Sequence, residues 1–299
     1  MLPSFSLSLL HFTFFMAPLH QGTGLRHTIL PEIQPFFSSA VYLCAPMNKI
    51  ALITGATSGF GEACAHQFAA GQYDLILNGR RLERLQNLQQ QLKQQYGIQC
   101  YLAPFDVQDQ HSVFGAVESL PQAWQAIDVL VNNAGLALGR DLFDEASLDD
   151  WNTMIDTNVK GLLYVSKAVV PLMKKARKGH IINIGSIAGK EVYERGNVYC
   201  ATKHAVDALS QAMRIDLLQH HIKVTAIHPG AAETEFSVVR FKGNEEAAKK
   251  VYEGYQPLTA QDVAAVIYYT TTLPAHVCIN DLVLTPTQQA NSVYFNRNS

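Results

Sequence analysis

The feature that most constrains the fold of this chain is an alternation of short apolar runs with helical patterns that begins at Met47. The first run, Ile50–Thr54, predicts a buried strand, and Gly61–Ala70 predicts the helix that follows it. Further strands are expected at Asp74–Asn78, Gln99–Ala103, Asp128–Asn132, His180–Gly185, Lys223–His228 and Asp281–Leu284, and further helices at Leu82–Tyr96, Leu148–Ala176 and Val198–Gln219. Strands that alternate with helices predict a parallel sheet covered on both faces, which is a doubly wound α/β fold.

The composition agrees with one globular domain of this class. The chain has 299 residues, of which 48% are hydrophobic and 16% are charged, which is typical of folded rather than disordered or fibrous proteins. An α/β fold often takes ~250 residues as a single domain, so residues 47–299 are expected to form one. The net charge is -2 and there is no long basic run, so nucleic acid is not an expected partner.

The cysteines indicate the redox environment. They are five in number, widely spaced and without a Cys-x-x-Cys pair. This pattern predicts neither a disulfide framework nor a zinc site, and no other group of residues has the spacing of metal ligands. Reduced thiols are the ordinary state in the cytoplasm, and the sequence therefore predicts a cytoplasmic protein without a metal.

Residues 1–46 differ in character from the rest of the chain, since they are rich in Phe, Leu, Ser, Pro and His. Their apolar stretch, Leu9–Pro18, is not preceded by a positive charge, because the first basic residue is Arg26. It is also interrupted by His11 and is too short to cross a membrane. We therefore expect a non-core extension with Met47 as the physiological start and no membrane partner; a targeting segment is the alternative.

A glycine-rich loop, Thr54–Gly61 with the sequence TGATSGFG, joins the first predicted strand to the first helix. Glycines at such a place allow a tight turn and let the backbone approach a pyrophosphate, which the helix N-terminus then binds through free N–H groups. An ordinary glycine-rich turn is the alternative. The candidate dinucleotide-binding residues in this loop are Gly55, Thr57, Ser58, Gly59, Phe60 and Gly61.

The end of the second strand indicates which dinucleotide is bound. NAD sites often place an acid there to bind the ribose 2′-hydroxyl. Here the strand ends in Asn78-Gly79-Arg80-Arg81, and the first acid, Glu83, falls inside the helix. A guanidinium suits a 2′-phosphate, so the sequence favours NADP(H) bound by Arg80 and secondarily by Arg81. The alternative is that both arginines are solvated residues at the start of a helix.

The glycine-rich loop Thr54–Gly61 and four other motifs, in the order found here, resemble the short-chain dehydrogenase/reductase family over Met47–Ser299. The other four are Asn132–Gly135, Ser186, Tyr199–Lys203 and Pro229-Gly230. Three further segments, Ile155–Asn158, Phe236–Gly243 and Leu273–Val277, resemble the NADP-dependent 3-hydroxy acid dehydrogenases, also described as serine or allo-threonine dehydrogenases and malonic semialdehyde reductases. The resemblance implies a Rossmann-like fold in a single domain.

Tyr199 and Lys203 are four residues apart on a predicted helix and therefore lie on one face. A free tyrosine has a pKa of about 10, and a neighbouring ammonium is expected to lower it. The resemblance implies that Tyr199 exchanges the proton with the substrate oxygen and that Lys203 also holds the nicotinamide ribose. It implies further that Ser186 hydrogen-bonds the substrate oxygen and that Asn158 holds a water in a proton relay; an ordinary turn serine and a packing asparagine are the alternatives.

The resemblance also implies cofactor contacts along the carboxyl ends of the strands. They are Asp106 and Val107 near the adenine ring, Asn132, Ala134 and Gly135 at the adenosine half, Pro229 and Gly230 at the nicotinamide, and Thr234 at its carboxamide. An acidic substrate needs a cation, and we expect Arg240 to bind its carboxylate, with Lys190 and Arg195 as alternatives.

Three functions remain open at this point. The first is an NADP-dependent dehydrogenase of a short 3-hydroxy acid or serine-like substrate, and the second is a reductase of neutral ketones or aldehydes. The third is a non-catalytic NADP-binding regulatory protein, which the presence of all four catalytic residues disfavours. The resemblance also implies a homo-oligomer, either a tetramer or a dimer.

Overall fold

The computed structural model describes residues 48–298, so the expected extension over residues 1–46 and the expected start at Met47 lie outside the described residues. Seven strands form one sheet: β1 (Ile50–Ile53), β2 (Asp74–Asn78), β3 (Cys100–Ala103), β4 (Ile127–Asn132), β5 (Gly179–Ile184), β6 (Ile222–Pro229) and β7 (Asp281–Leu284). The strand order is β3-β2-β1-β4-β5-β6-β7, and every neighbouring pair is parallel.

The helices connect these strands and cover both faces of the sheet. They are α1 (Gly59–Ala70), α2 (Leu82–Tyr96), α3 (Gln110–Glu118), α4 (Leu148–Ile155), α5 (Leu162–Ala176), α6 (Asn197–Asp216), α7 (Glu235–Arg240), α8 (Glu245–Lys250) and α9 (Ala260–Thr272). Three short 3₁₀ turns lie at Gln122–Trp124, Ile187–Gly189 and Leu218–His220, and a π-helical turn lies at Asp156–Gly161. None of the helices within residues 48–298 is long and apolar enough to cross a membrane.

Alternate residues of the central strand contribute to different halves of the core. All four residues of β1 are buried. Ala51 and Ile53 belong to the cluster formed with α1, α2 and α9, whereas Ile50 and Leu52 belong to the cluster formed with α3 and α5. Successive side chains of a strand point to opposite faces, so a strand buried on both sides must be apolar throughout, as this one is.

The strand order places a crevice at the carboxyl ends of the central strands. From β1 the chain passes to β2 and then β3 on one side of β1, and only then crosses to β4 on the other side. Ligands of open α/β sheets bind outside the carboxyl ends of the strands where the strand order reverses in this way. The loops after β1 and β4 are therefore the expected walls of a ligand site.

The doubly wound α/β fold expected from the sequence is confirmed, and every predicted strand is present with each end within one residue of its expected position. The helix predicted over Leu148–Ala176 is wrong in one respect, because the π-helical turn Asp156–Gly161 divides it. Asn158 in this turn donates to Leu136 O at 2.8 Å and accepts from Leu136 N at 2.8 Å. The side chain thus reaches across to the loop after β4, and such π turns inside helices are frequent at functional sites.

The packing of β2 against the helices generates a stability prediction. Leu77 is 0% exposed and lies in the cluster with α1 and α2, so Leu77→Ala should lower the free energy of unfolding by about 2–5 kcal/mol. Leu218→Ala is the matched control, since Leu218 is 73% exposed and its truncation should change stability by no more than about 0.5 kcal/mol. Urea denaturation followed by circular dichroism measures both, and equal shifts would contradict the assigned packing.

Candidate active site

A cavity of about 1060 Å³ opens at the carboxyl ends of the strands. The loops that follow the six strands β1 to β6 line it, together with α7 and the C-terminal segment near Gln289 and Phe295. Most of the residues singled out from the sequence line this one cavity, although they come from distant parts of the chain. One end of the cavity lies beside the glycine loop, and the other lies beside Tyr199.

The glycine loop is shaped for a group that approaches the backbone closely. Gly55 and Gly59 have φ values of +64° and +55°, which favour glycine. A Cβ added at Gly61 would lie 2.1 Å from the carbonyl oxygen of Gly55, so even alanine cannot be accommodated without moving the backbone. Ser58 is the N-cap of α1 but makes no capping hydrogen bond with its side chain. No side chain of the cap residue therefore occupies the first N–H groups of this 12-residue helix, and its first residues, Gly59 and Phe60, line this end of the cavity, which fits a pyrophosphate.

The two arginines after β2 lie at the rim of the same end. Arg80 pairs with Asp106 at 3.7 Å, and both side chains are exposed. Arg81 lies 3.4 Å from Thr57 Oγ1 and 3.9 Å from Glu235 on α7. Arg80 and Arg81 line the cavity, as do Asp106 and Val107. The two exposed guanidiniums can therefore contact an anion at the edge of the glycine loop.

The structure does not bring Asn132 to the cavity. Its side chain is buried and donates to Ser166 Oγ and to Asn183 Oδ1, both at 2.9 Å. The neighbouring Asn133, which was not singled out, lines the cavity instead and donates to the carbonyl oxygens of Thr54 and Gly55 at 2.8 and 3.2 Å. Because adjacent residues at a strand end point to opposite sides, only one of the two asparagines can face the crevice.

Tyr199 and Ser186 stand together at the other end of the cavity. Tyr199 lies in the first turns of α6 and is 8% exposed, and Ser186 directly follows β5. Burial raises the pKa of Tyr199 above its ordinary value, and the buried Tyr193 phenol raises it further, whereas a hydrogen bond from Ser186 and the charge of Arg240 lower it. The Tyr199 phenol is therefore protonated at neutral pH and can donate its proton to an oxygen beside it.

Lys203 is buried one turn further along α6. Its Nζ donates to the carbonyl oxygen of Ile184 at 2.9 Å and lies 6.0 Å from the centre of the Tyr199 ring. Burial lowers the pKa of Lys203 to about 8. The sequence led us to expect that the ammonium would lower the pKa of Tyr199, but burial of both side chains has the larger effect on each of them.

Asn158 is positioned behind these residues. Besides Leu136, its Nδ2 donates to Thr202 Oγ1 at 3.1 Å, which connects the π turn to α6. A Cβ added at Gly135 would lie 3.2 Å from Asn158 Oδ1 and 3.5 Å from Lys203 Nζ. Asn158 thus holds the loop after β4 close to Lys203, and the small residues Ala134 and Gly135 keep the intervening cavity wall open.

The loop after β6 closes the cavity from the third side. Pro229, Gly230 and Thr234 line it, and Thr234 caps α7 by accepting a hydrogen bond from Phe236 N at 3.2 Å. Gln289 from the C-terminal segment, which was not singled out from the sequence, accepts from Ala231 N at 2.8 Å. The C-terminal segment therefore braces this loop from within the same chain.

Of the three expected cations, only Arg240 faces the catalytic end. Its Nη1 donates to the Tyr193 hydroxyl at 3.1 Å, and its guanidinium lies 5.4 Å from the centre of the Tyr199 ring. Lys190 instead binds Asp207 and Asp281 at 3.0 and 2.6 Å, and Arg195 lies 3.9 Å from Glu194, so neither reaches the cavity. Tyr193 is the further residue here that sequence reasoning missed, because nothing in its local sequence distinguishes it from a surface tyrosine.

Comparison with known proteins agrees with this geometry. The family model of short chain dehydrogenases matches residues 49–245. An NADP-dependent 3-hydroxy acid dehydrogenase of Escherichia coli is 48% identical over 81% of this chain and 96% of that protein. Sulfoacetaldehyde reductase 2 of Chromohalobacter salexigens is 45% identical over 83% of this chain and 98% of that protein. The closed form of a serine dehydrogenase complexed with NADP+ has 46% sequence identity and a TM-score of 0.78, covering 84% of this chain and all of that one.

The close approach at Gly61 predicts the effect of one added methyl group. Gly61→Ala places a Cβ against the carbonyl of Gly55, so the loop must move, and the dissociation constant for NADPH should rise ~10-fold or more. Gly115→Ala is the control, because Gly115 lies in α3 with nothing within 4 Å of the added atom. It should leave binding unchanged. Fluorescence titration with NADPH on folded protein measures both, and equal affinities would contradict a cofactor cradle here.

Proposed function

The chain belongs to the short chain dehydrogenase family, and from that premise we propose that it is an NADP(H)-dependent oxidoreductase of short 3-hydroxy acids or serine-like substrates. The observation that carries the proposal is the convergence of Tyr199, Ser186 and Arg240 on one end of a cavity whose other end has a glycine cradle. A phenol whose ring centre lies 5.4 Å from a guanidinium suits a molecule with an alcohol or carbonyl and an acid.

The relatives support the choice of cofactor and reaction. They include an NADP-dependent 3-hydroxy acid dehydrogenase that is 48% identical and a serine dehydrogenase complexed with NADP+ that is 46% identical. In this chain Arg80 and Arg81 lie at the rim beside Thr57, where a guanidinium can bind the 2′-phosphate that distinguishes NADP from NAD. Asp106, which pairs with Arg80, is close enough to orient that side chain.

The chain's own residues supply the proton and the alignment. The nicotinamide, when bound, accepts or supplies the hydride. Ser186 donates to the substrate oxygen and keeps it beside the Tyr199 phenol. The phenol, protonated because it is buried, gives its proton to that oxygen during reduction and receives it back during oxidation. Lys203, whose pKa burial lowers to about 8, is placed to share that proton near neutral pH.

Arg240 supports an acidic substrate. Its Nη1 is bound to Tyr193, and its guanidinium lines the cavity 5.4 Å from the centre of the Tyr199 ring. This charge has no acidic partner among the described residues, and a substrate carboxylate would supply one. A reductase of neutral ketones or aldehydes is the second candidate function, and it would leave this charge without a partner. A regulatory protein without catalysis would not need Tyr199 and Ser186 to share one cavity wall.

We extend the proposal to assembly and location. Helices α5 and α6 carry exposed apolar side chains, Leu163 and Ile215 among them, which suits a homo-oligomer, either a tetramer or a dimer. The wide spacing of the cysteines suits the reducing cytoplasm.

Removing the phenolic hydroxyl tests the proposal directly. Tyr199→Phe should lower kcat for NADPH-linked reduction of malonic semialdehyde at least ~100-fold, because the proton donor is lost, while NADPH binding is retained. Tyr294→Phe is the matched control, since Tyr294 is 72% exposed, and it should keep full activity. Steady-state kinetics and NADPH titration decide the outcome; a Tyr199→Phe enzyme with normal kcat would exclude this role.

A further inference from the structure

Two arginines, not one, stand at the catalytic end of the cavity. Arg140 follows β4 and lines the same cavity as Arg240 at the end of α7. The two segments are tied directly, because Gly139 N donates to the carbonyl oxygen of Arg240 at 3.0 Å. The position of one arginine is thereby coupled to the position of the other.

This pair of arginines has no ion-pair partner in the part of the chain that the structure describes. Within residues 48–298, no carboxylate lies within ion-pair distance of Arg140 or Arg240. The nearby acids are engaged elsewhere, since Asp150 binds Lys242 at 2.8 Å and Glu194 lies 3.9 Å from Arg195. Partial burial lowers the pKa of Arg140, and the like charge of Arg240 lowers it further, against opposing effects of Tyr193 and Glu194.

We propose that Arg140 and Arg240 together bind an acidic group with two negative charges, so that the substrate is a short hydroxyalkyl dianion such as a phosphonate. The inference rests on the proposed function, in which Arg240 binds the acid. A single carboxylate satisfies one guanidinium in the bidentate mode and leaves the second charge uncompensated. A group with three oxygens and two charges accepts from both guanidiniums and removes their repulsion.

The experiment compares two alcohols of matched chain length, 3-hydroxypropionate and 2-hydroxyethylphosphonate, as substrates for NADP+ reduction. At about pH 9 the phosphonate carries two charges. The wild-type enzyme should favour it by kcat/KM. Arg140→Gln should lower kcat/KM for the phosphonate ~10-fold and that for 3-hydroxypropionate less than twofold, whereas Arg240→Gln should impair both.

Arg195→Gln is the control for loss of a nearby positive charge, because Arg195 lies outside this cavity and should affect neither substrate. Two outcomes would overturn the role of the arginine pair and leave the proposed function intact. They are a wild-type enzyme without preference for the phosphonate, and an Arg140→Gln enzyme impaired equally on both acids. Turnover of a neutral alcohol such as 1-propanol at a rate equal to or above both acids would overturn the proposed acid specificity itself.

A second and independent observation concerns the residues beneath Ser186. His228 on β6 is 0% exposed, and its Nδ1 lies 3.2 Å from the carbonyl oxygen of Ser186. A carbonyl can only accept, so Nδ1 must carry the proton and Nε2 is an acceptor. The ring also packs against Gly185 so closely that any side chain at that position would collide with it.

The other side of the ring faces a charged cluster. Nε2 lies 3.7 Å from Asp207 on α6 and 3.4 Å from Asp281 on β7, and Lys190 Nζ binds both carboxylates. The two carboxylates and the imidazole have the spacing of metal ligands, but the ammonium of Lys190 already lies between the carboxylates. Burial lowers the pKa of His228 and the charge of Lys190 lowers it further, against opposing effects of Asp281, the Ser186 carbonyl and Asp207, so the ring is neutral at neutral pH.

The geometry points to His228 as a positioning residue that holds the Ser186 peptide and thereby aims the Ser186 hydroxyl at Tyr199. Its ring is fixed by Gly185 on one side and by the Lys190 cluster on the other. Without this donor, the carbonyl of Ser186 would keep only the hydrogen bond from Gly189 N at 2.8 Å, which lies within the same turn. The turn that carries the hydroxyl would then lose its tie to β6.

A double-mutant cycle separates this role from a merely structural one. His228→Phe keeps an aromatic ring but removes the donor, and it should lower kcat ~10-fold with little change in the KM for NADPH. In a Ser186→Ala background the same change should cost almost nothing further, because both act through the serine. Asparagine at position 228 can still donate and should restore most of kcat. Additive losses in the double mutant, or no rescue of kcat by His228→Asn, would overturn the assignment. If His228→Phe does not fold, His228→Leu takes its place in the cycle.

Discussion

The site depends on a close junction between the loops after β1 and β4. Thr54 Oγ1 accepts hydrogen bonds from Asn133 N and Ala134 N, both at 3.0 Å, and the Asn133 side chain donates back to the carbonyl of Thr54. These contacts join the ends of the two central strands where the strand order reverses. They leave no room for a Cβ at Gly61. The shape of the proposed pyrophosphate site therefore depends on the close approach of the loop after β1 to the loop after β4.

Burial determines the protonation of the catalytic end. Tyr199 and Lys203 are both buried, and each is driven toward its neutral form, the phenol above its ordinary pKa and the ammonium below its own. In water at neutral pH a tyrosine is neutral and a lysine is charged. Burial here reinforces the neutral phenol and weakens the preference of Lys203 for its charged form. Ser186 and Arg240 oppose the effect of burial on the phenol, so the residues proposed to bind the substrate also lower the pKa of the proposed proton donor.

Much of this arrangement could be predicted from local sequence, and the failures have physical causes. The strands could be predicted because those buried on both faces are apolar throughout. The glycine-rich loop could be predicted because only glycine tolerates its backbone conformation. Asn132 was assigned to the cofactor although strand alternation allows just one of two adjacent asparagines to face the crevice. The π turn at Asp156–Gly161 could not be predicted, since it depends on Asn158 reaching Leu136, 22 residues away in the chain. Arg140 and Tyr193 look like surface residues until the fold brings them beside Arg240.

The fold separates the residues proposed to do the chemistry from those proposed to recognise the acid. Tyr199 and Lys203 are buried on α6, where a changed side chain disturbs many neighbours, and the half-buried Ser186 follows β5. Arg140 and Arg240 lie on a loop and on a six-residue helix, and the backbone N–H of Gly139, beside Arg140, donates to the carbonyl oxygen of Arg240. Because that bond uses main-chain atoms, either arginine can be replaced without breaking it. Substitution at these two positions can therefore change the charge of the acid accepted while the proton donor, its burial and the cofactor cradle stay as they are.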